Sequence, residues 1–247
     1  MRTVLLRLEG PLQSWGTRSR FGRRDTENEP SKSGVCGLVG SALGMGRDDD
    51  AMLARLAQAS FAVRVDRDGS RFTDYHTVGD GTFRGEPYQV DGVDKGAVLT
   101  RRDYLQDASF LGALGFEDPS FAGEIYAALQ APVWPLFLGR RSCPPSLPVH
   151  VSEGLREASP EDALRAAPYP SPKLPQGADG EPRRLRLLIE CPPGHPNAQP
   201  RQDQPLSFRL SNRHFGRRFV RTAWIEPDDL RPLLLSAEAP CISLAAS

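Results

Sequence analysis

The segment PSKSGVCGLVGSALG, residues 30–44, predicts the first helix and with it the layout of the fold. Ser31 follows a proline and stands where a helix N-cap is expected. The apolar residues that follow recur at the spacing of one helical face: Val35, Leu38, Val39, Ala42 and Leu43. The pattern therefore predicts a helix that begins after Ser31 and packs one apolar face against a core.

The same segment carries a second stripe made of small residues. Its members are Gly34, Gly37, Ser41 and Gly44. Glycine costs about 1 kcal/mol relative to alanine in a helix interior. The repeated use of glycine therefore indicates that a sheet or a nucleic-acid backbone approaches this face closely.

Around this helix the hydrophobic patterns predict an alternation of strands and helices. Residues 3–8 are predicted to form the first strand, and a long polar loop, residues 9–30, joins it to the helix. The later predicted elements are a helix at 48–59, strands at 61–65, 71–78 and 99–110, a helix at 120–130 and a final buried strand at 133–138. This order predicts an α+β fold with a ferredoxin-like (RRM-type) domain. The open sheet of such domains often receives single-stranded RNA.

Changes in composition divide the chain into segments. Residues 1–142 are predicted to form the ferredoxin-like domain, and residues 79–96, with five glycines among charged residues, a protruding and mobile β-hairpin thumb. Residues 143–182 hold nine prolines and are predicted to be a linker or loop. Residues 183–247 are predicted to form a small, irregular C-terminal unit that contains β-strands, with strands at 184–190 and 219–226.

The overall composition, with 39% hydrophobic and 25% charged residues, is that of a soluble globular protein. No apolar run is long enough to span a bilayer, and the first residues lack the pattern of a signal peptide. The four cysteines are far apart and form no zinc-binding pair. We therefore expect a cytoplasmic protein without a metal, another cofactor or a membrane contact.

Arginine is strongly preferred over lysine: only three of the 31 basic residues are lysines. Its planar guanidinium group pairs with phosphate and stacks on bases, although a GC-rich genome would also favour its codons. Residues 204–222 contain five arginines and one histidine without an acidic residue, and residues 18–24 contain four arginines. These clusters predict either contacts with nucleic acid or a solvated basic surface.

Catalytic motifs are missing from the sequence. It contains no Walker A, GxSxG or HExxH pattern. His76 is a candidate general base for metal-independent RNA cleavage, with Tyr75 as a candidate acid; a structural or RNA-contacting histidine is the alternative. Aromatic residues beside arginines are candidate stacking platforms for unpaired bases or else core residues, namely Trp15, Tyr104 and Phe137.

Five segments, taken together and in order, resemble one known family. They are LRLEGPLQSWG (6–16), PSKSGVCGLVGSALG (30–44), DYHTVG (74–79), RRDYLQDASF (101–110) and FLGRRSCPP (137–145). This set resembles the CasD family of the type I-E CRISPR Cascade complex, which belongs to the RAMP superfamily. The resemblance runs over residues 1–150, roughly, and the remaining residues add little to it.

The resemblance implies a non-catalytic subunit that binds and caps the 5′ handle of the guide crRNA, with a separate CasE subunit cutting the precursor. It implies as partners the CasC backbone subunit, the large CasA subunit and, through the complex, target DNA. By position it places the handle contacts on Lys32, Arg47, Arg102, Phe137 and Arg140. To these we add Arg23, from the basic first loop, and His76 as RNA-binding candidates.

Two other functions stay open at this point. Relatives in type I-C systems are metal-independent endoribonucleases that process precursor CRISPR RNA, and such an activity would recruit His76, Tyr75 and Lys95. The third possibility is a protein scaffold that makes no RNA contact.

Overall fold

The computed structural model describes residues 1–17, 22–78, 82–83, 86–87, 89–90, 93–94, 98–177 and 179–235. Its strands are β1 (Arg2–Glu9), β2 (Leu12–Gln13), β3 (Arg23–Arg24), β4 (Ser60–Arg67), β5 (Ser70–Val78), β6 (Thr82–Phe83), β7 (Glu86–Pro87), β8 (Gln89–Val90), β9 (Val93–Asp94), β10 (Val98–Gln106), β11 (Ser109–Phe116), β12 (His150–Arg156), β13 (Leu185–Glu190), β14 (Gln199–Ser207) and β15 (His214–Ile225). Its helices are α1 (Lys32–Leu43), α2 (Asp50–Ala57), α3 (Pro119–Gln130), α4 (Pro160–Ala166), α5 (Pro227–Leu230) and a 3-10 turn (Arg231–Leu233).

The main sheet has seven strands in the order β12-β1-β11-β4-β13-β15-β14, and all its ladders are antiparallel. A smaller sheet is built around β10, which pairs antiparallel with β5 along its whole length. The other edge of β10 holds β2 in antiparallel and β3 in parallel orientation. The fold is therefore a mixed α and β structure with mostly antiparallel sheets.

Two hydrophobic clusters cover the two faces of the main sheet. Because side chains alternate along a strand, β1 sends Val4, Leu6 and Leu8 to one face and Leu5 to the other. On the first face these residues pack against α1 and α3. On the second face the cluster is closed by α4 and by residues of β13. The glycine-containing helix α1 thus lies on the larger of the two clusters.

Helix α1 confirms the boundaries predicted from sequence. The Ser31 hydroxyl accepts a hydrogen bond from the Gly34 N–H at 3.2 Å, which satisfies a donor of the first turn. At the other end Gly44 adopts a left-handed conformation with φ 71°, and its N–H bonds back to the last turn. The strand predicted at 3–8 and the helix predicted at 120–130 are confirmed as β1 and α3.

Two predicted strands are wrong. Residues 133–138 form no strand, since Pro135 has no N–H to donate, and Val133 is 63% exposed. The strand that pairs with the outer edge of β1 is β12. Residues 99–110, predicted as one strand, are divided between β10 and β11, because Asp107 turns the chain with φ 56°. The two halves belong to different sheets.

The stretch 143–182, predicted to be a linker or loop, contains β12 and α4. Ser159 caps α4 by accepting from the Asp162 N–H, and Pro160 occupies the first turn, where its missing N–H costs nothing. Farther along, β13, β14 and β15 extend the main sheet beyond β4. The predicted thumb at 79–96 lies largely outside the described residues. Among the residues of this segment that are described, β6 pairs with β7 and β8 pairs with β9.

Candidate nucleic-acid interface

The glycines of α1 differ in what approaches them. A Cβ built on Gly34 would lie 2.8 Å from the ring of Trp15, and one on Gly40 would lie 2.5 Å from Met45 Cε. Internal packing therefore requires glycine at position 34, whereas at position 40 the close atom is the end of the flexible Met45 side chain. At Gly37 the nearest atoms are those of the Phe208 ring, 3.8 Å away, which is ordinary van der Waals contact. This part of α1 faces open space and not the core.

The open space beside Gly37 is a cleft of about 730 Å³. The cleft is lined by small, aromatic and basic residues: Ser33, Gly34, Gly37, Leu38, Ser41, Met45, Arg47, Trp134, Pro135, Phe137, Gly139, Arg141, Phe208 and Arg213. No carboxylate is among these lining residues. Cations, exposed rings and a helix surface without bulky side chains are the elements with which proteins hold single-stranded nucleic acid.

One wall of the cleft is the loop that carries Phe137 and Arg141. Its backbone is fixed by two hydrogen bonds, from Ser14 N to Leu138 O at 3.0 Å and from Leu138 N to Cys143 O at 2.8 Å. Gly139 has φ 93° and its Cβ position is occupied by the Ser14 carbonyl, so only glycine fits there. The loop therefore presents Phe137, half-buried, and Arg141, exposed, from a rigid base.

The rim of the cleft carries three arginines, Arg47, Arg141 and Arg213, and all three are exposed. None of them forms an ion pair with a carboxylate among the described residues. The cleft partly desolvates the Arg213 guanidinium, and this desolvation, together with the charge of Arg47, lowers the pKa of Arg213. The rim thus holds positive charge that the described part of the chain leaves uncompensated.

A second basic surface lies on the small sheet. Residues opposite each other in a ladder point to the same face, so Arg102 shares a face with Arg24 and Asp74. His76, opposite Thr100, lies on that face too. The Arg102 Nε donates to the Thr100 hydroxyl at 3.2 Å, and no described carboxylate forms an ion pair with Arg102.

The opposite face of the small sheet carries Arg23, Arg101 and Tyr75. The Arg101 guanidinium lies 5.8 Å from the centre of the Tyr75 ring, which is 57% exposed. The predicted contacts Arg23 and Arg102 therefore lie on different faces and cannot grip one short stretch of RNA from the same side.

Two of the predicted contact residues are used inside the protein. Lys32 is buried, with 2% of its surface exposed, and its ammonium donates to both carboxylate oxygens of Glu190 at 3.0 Å. Arg140 donates to the backbone carbonyls of Asp103, Arg24 and Asp25, at 2.8–3.1 Å, and its guanidinium lies over the Tyr104 ring. Both side chains hold segments of the fold together, so we remove Lys32 and Arg140 from the set of expected RNA contacts.

Two of the candidate stacking rings are core residues. Trp15 is 1% exposed and its indole N–H donates to Gln13 Oε1 at 2.9 Å, and Tyr104 is 4% exposed. Sequence reasoning missed Trp134, which is 44% exposed on the cleft, and Phe208. The sequence does contain a signal for Arg213, because the run 204–222 holds five arginines and no acidic residue that could neutralise them.

No described helix is long and apolar enough to cross a membrane. Within the described residues no three histidine, cysteine or acidic side chains come together as metal ligands.

Comparison with known proteins identifies the family of the chain. The chain belongs to the family described as CRISPR-associated protein (Cas_Cas5), whose model matches residues 3–221. It is 37% identical over 174 residues to the CRISPR system Cascade subunit CasD of Escherichia coli strain K12. The aligned region covers 65% of this chain and 75% of that protein. The resemblance to CasD of the type I-E complex is thereby confirmed.

Solved structures show the same similarity over nearly the whole chain. One, a crystal structure of a Cas protein, has a TM-score of 0.70 and 37% identity and covers 92% of this chain and 97% of that one. The other, a chain from a CRISPR RNA-guided surveillance complex, has a TM-score of 0.72 and 34% identity over 96% of this chain and 95% of that one. Both matches include the C-terminal part of the chain, which the sequence resemblance left out.

Proposed function

We propose that this chain is a non-catalytic subunit of a type I-E CRISPR antiviral surveillance complex (Cascade). In it the chain binds and caps the 5′ handle of the guide crRNA and helps to assemble the complex for recognition of target DNA. The observation that carries the proposal is the cleft beside α1, where the exposed Trp134 ring and the half-buried Phe137 ring line the same space as arginines that have no carboxylate partner among the described residues. The sequence similarity of the chain to CasD supports the same assignment.

The cleft offers two kinds of contact with RNA: guanidinium groups for phosphates and ring faces for bases. Arg47 and Arg141 supply guanidinium groups for phosphates, which contribute affinity without regard to sequence. Phe137 and Trp134 supply faces on which displaced bases stack. Arg102, with His76 on the same face of the small sheet, provides a second phosphate surface. Arg23 lies on the other face of that sheet and contacts a different part of the RNA.

We interpret the part of the main sheet ordered β12-β1-β11-β4 as a ferredoxin-like unit. Support comes from the chain order strand, helix, strand, strand, helix, strand, and from the packing of α1 and α3 on one face. The thumb at 79–96, a CasC and a CasA subunit as neighbours, and a cytoplasmic location are parts of the same proposal.

The test is a binding measurement on the full-length chain with a labelled guide RNA that carries the 5′ handle of the host's own CRISPR repeat. We expect the affinity for this RNA to exceed that for an RNA of equal length without the handle. It should fall steeply as the salt concentration rises, because phosphate contacts release counterions. A pure protein scaffold would show neither preference nor salt dependence, and that result would refute the RNA-binding function.

The second candidate function is endoribonuclease activity that relies on His76 as a base. An argument from geometry stands against it: His76 and Tyr75 are neighbours on β5 and point to opposite faces of the sheet. The pair cannot act on one phosphodiester as base and acid. We expect no cleavage of precursor CRISPR RNA, with or without divalent metal ions. Specific cleavage that disappears in His76→Ala would instead support the endoribonuclease function.

A further inference from the structure

The turn between β14 and β15 closes one side of the cleft, and its position is fixed by polar contacts with α2. Arg209 Nε donates to Asp50 Oδ2 at 2.7 Å, and its Nη2 donates to the Asp48 carbonyl at 3.0 Å. The Ser207 hydroxyl lies 3.3 Å from Asp50 Oδ1. These contacts hold the start of the turn against the segment that connects α1 to α2, the segment that contains Arg47.

The same turn places one cation and one ring at the cleft. The Phe208 ring lies 3.8 Å from the position of a Cβ on Gly37, so it forms the wall that faces the open part of α1. The Arg213 guanidinium lies 5.3 Å from the centre of the Phe215 ring, which fixes its direction. Phe215 in turn packs edge-on against Phe208. Arg213 is thus positioned by aromatic contacts and keeps its N–H donors available.

Arg213 and Arg47 line the same cleft from two distant parts of the sequence. Their mutual repulsion is part of what lowers the pKa of Arg213, and no described carboxylate forms an ion pair with either side chain. Two other arginines of this hairpin are compensated: Arg218 pairs with Asp203 and Arg209 with Asp50. An anion between Arg47 and Arg213 would relieve the repulsion, and a phosphate accepts hydrogen bonds from two guanidinium groups at once.

We propose that the β14–β15 turn is a working part of the interface, and that Arg47 and Arg213 together hold one phosphate of the guide RNA while the adjoining nucleotide lies in the cleft, against α1 at Gly37 and beside the Phe208 ring. This inference rests on the proposed function, because the ligand is the handle of the guide RNA. It assigns a role to the basic segment 204–222, which neither the sequence resemblance nor the contacts predicted from it includes.

The test compares three single variants of the full-length chain in binding to guide RNA with its 5′ handle, over a series of salt concentrations. Arg213→Ala and Arg47→Ala should each weaken binding about tenfold and reduce the slope of log affinity against log salt by about one. Arg217→Ala is the matched control: it removes the same charge from the same hairpin, but Arg217 is exposed and is not among the residues that line the cleft. It should change the RNA affinity by less than about twofold, a free-energy change as small as that of an ordinary surface substitution.

Each outcome has one meaning. If the wild type binds the handle and Arg213→Ala binds equally well, the role of the turn is refuted while the proposed function stands. If Arg217→Ala costs as much as Arg213→Ala, the hairpin supplies only diffuse charge and the phosphate site is refuted. If the losses occur with single-stranded DNA of the same sequence and not with RNA, the ligand is DNA and the assignment to the guide is wrong. If the wild type shows no preference for the handle, the proposed function and this inference fail together.

Discussion

Helix α1 lies between two regions rich in positive charge that differ in how the charge is balanced. On its buried side Lys32 pairs with Glu190, and Arg218 pairs with Asp203 through two hydrogen bonds of 2.7 and 2.9 Å. On its open side Arg47, Arg141 and Arg213 have no ion-pair partner among the described residues. The same residue type therefore serves two purposes, and the presence of a carboxylate decides which one.

The buried side explains how the C-terminal hairpin is joined to the rest of the fold. Asp203 on β14 accepts both from Arg218 and from the backbone N–H of Lys32 at 2.8 Å, so one carboxylate links the hairpin to the first turn of α1. Glu190 adds a link to β4 by accepting from the Phe61 N–H at 3.0 Å. Because the hairpin is fixed in this way, its turn can form a lasting wall of the cleft on the open side.

The largest expected effect is the loss of the buried carboxylate. Asp203→Ala should lower the free energy of unfolding by about 3–5 kcal/mol, because a guanidinium that is almost fully enclosed loses its partner. Urea unfolding measures this change. The control is Asp228→Ala, which breaks the exposed pair with Arg231 and should cost less than about 0.5 kcal/mol. Equal losses in the two variants would show that the buried pair does not join the hairpin to α1.

The open side should respond in affinity and not in folding. Phe137→Ala should weaken binding of handle RNA, per folded molecule, by about 1–3 kcal/mol, the usual value of one stacked base. Phe137→Tyr keeps the ring face and should bind like the wild type. Fluorescence anisotropy with labelled RNA measures both variants. Leu147→Ala, which removes another exposed apolar side chain, is the control for nonspecific effects and should leave the affinity unchanged.

The pH dependence of stability tests whether the buried side of α1 excludes water. Burial raises the pKa of the Cys36 thiol to about 12 from 9.0. Below pH 9 both the folded and the unfolded chain keep the thiol proton, so the stability contribution is complete there. As the pH rises from 9 toward 12 only the unfolded chain loses the proton, and stability falls by about 1.4 kcal/mol per pH unit.

The Cys36→Ala variant isolates this contribution from other groups that titrate at high pH. Unfolding free energies of the wild type and the variant, measured by urea at pH 8.5 to 10.5, roughly, should diverge in slope by about one proton. Parallel curves would mean that water reaches the thiol, and the buried side of α1 would not be closed.

Sequence reasoning succeeded where a local pattern controls the structure. The Ser31 cap, the apolar face of α1 and the glycine at its end all lie within fifteen residues, and the predicted helix is confirmed. The apolar run at 133–138 predicted a strand that does not form, because Pro135 has no N–H to donate to a neighbouring strand. The surrounding prolines predicted a loop where α4 forms, although Ser159, Pro160 and Asp162 carry the signal of a helix start.

Candidate site residues were harder to predict than the fold, because the partner of a charge lies far away in sequence. Lys32 and Glu190 are 158 residues apart, so nothing near Lys32 revealed that its ammonium is occupied. Arg47 and Arg213 meet at one cleft for the same nonlocal reason. The glycine stripe predicted that a sheet or a nucleic-acid backbone approaches this face, but the close neighbour of Gly34 is the Trp15 side chain and Gly37 faces open space.

The smallest expected effect compares two of these glycines. Gly37→Ala should stabilise the chain by up to about 1 kcal/mol, the difference in helix propensity, because its new methyl group meets only ordinary contact with Phe208. Gly34→Ala gains the same propensity but should destabilise, since its methyl group would lie 2.8 Å from Trp15. That ring cannot retreat, because it is buried and its N–H is bonded to Gln13.

Measured together, stability and RNA affinity make this pair decisive for the two sides of α1. The more stable Gly37→Ala variant should bind handle RNA more weakly, because its methyl group occupies the surface on which a nucleotide is proposed to lie. Gly34 also borders the cleft, but a methyl group on it would point at the buried Trp15 ring. Gly34→Ala should therefore lose stability and keep its affinity per folded molecule. If Gly37→Ala is stabilised and binds RNA like the wild type, no nucleotide lies against this part of the helix. Neither the fold nor RNA binding would then explain why position 37 is a glycine.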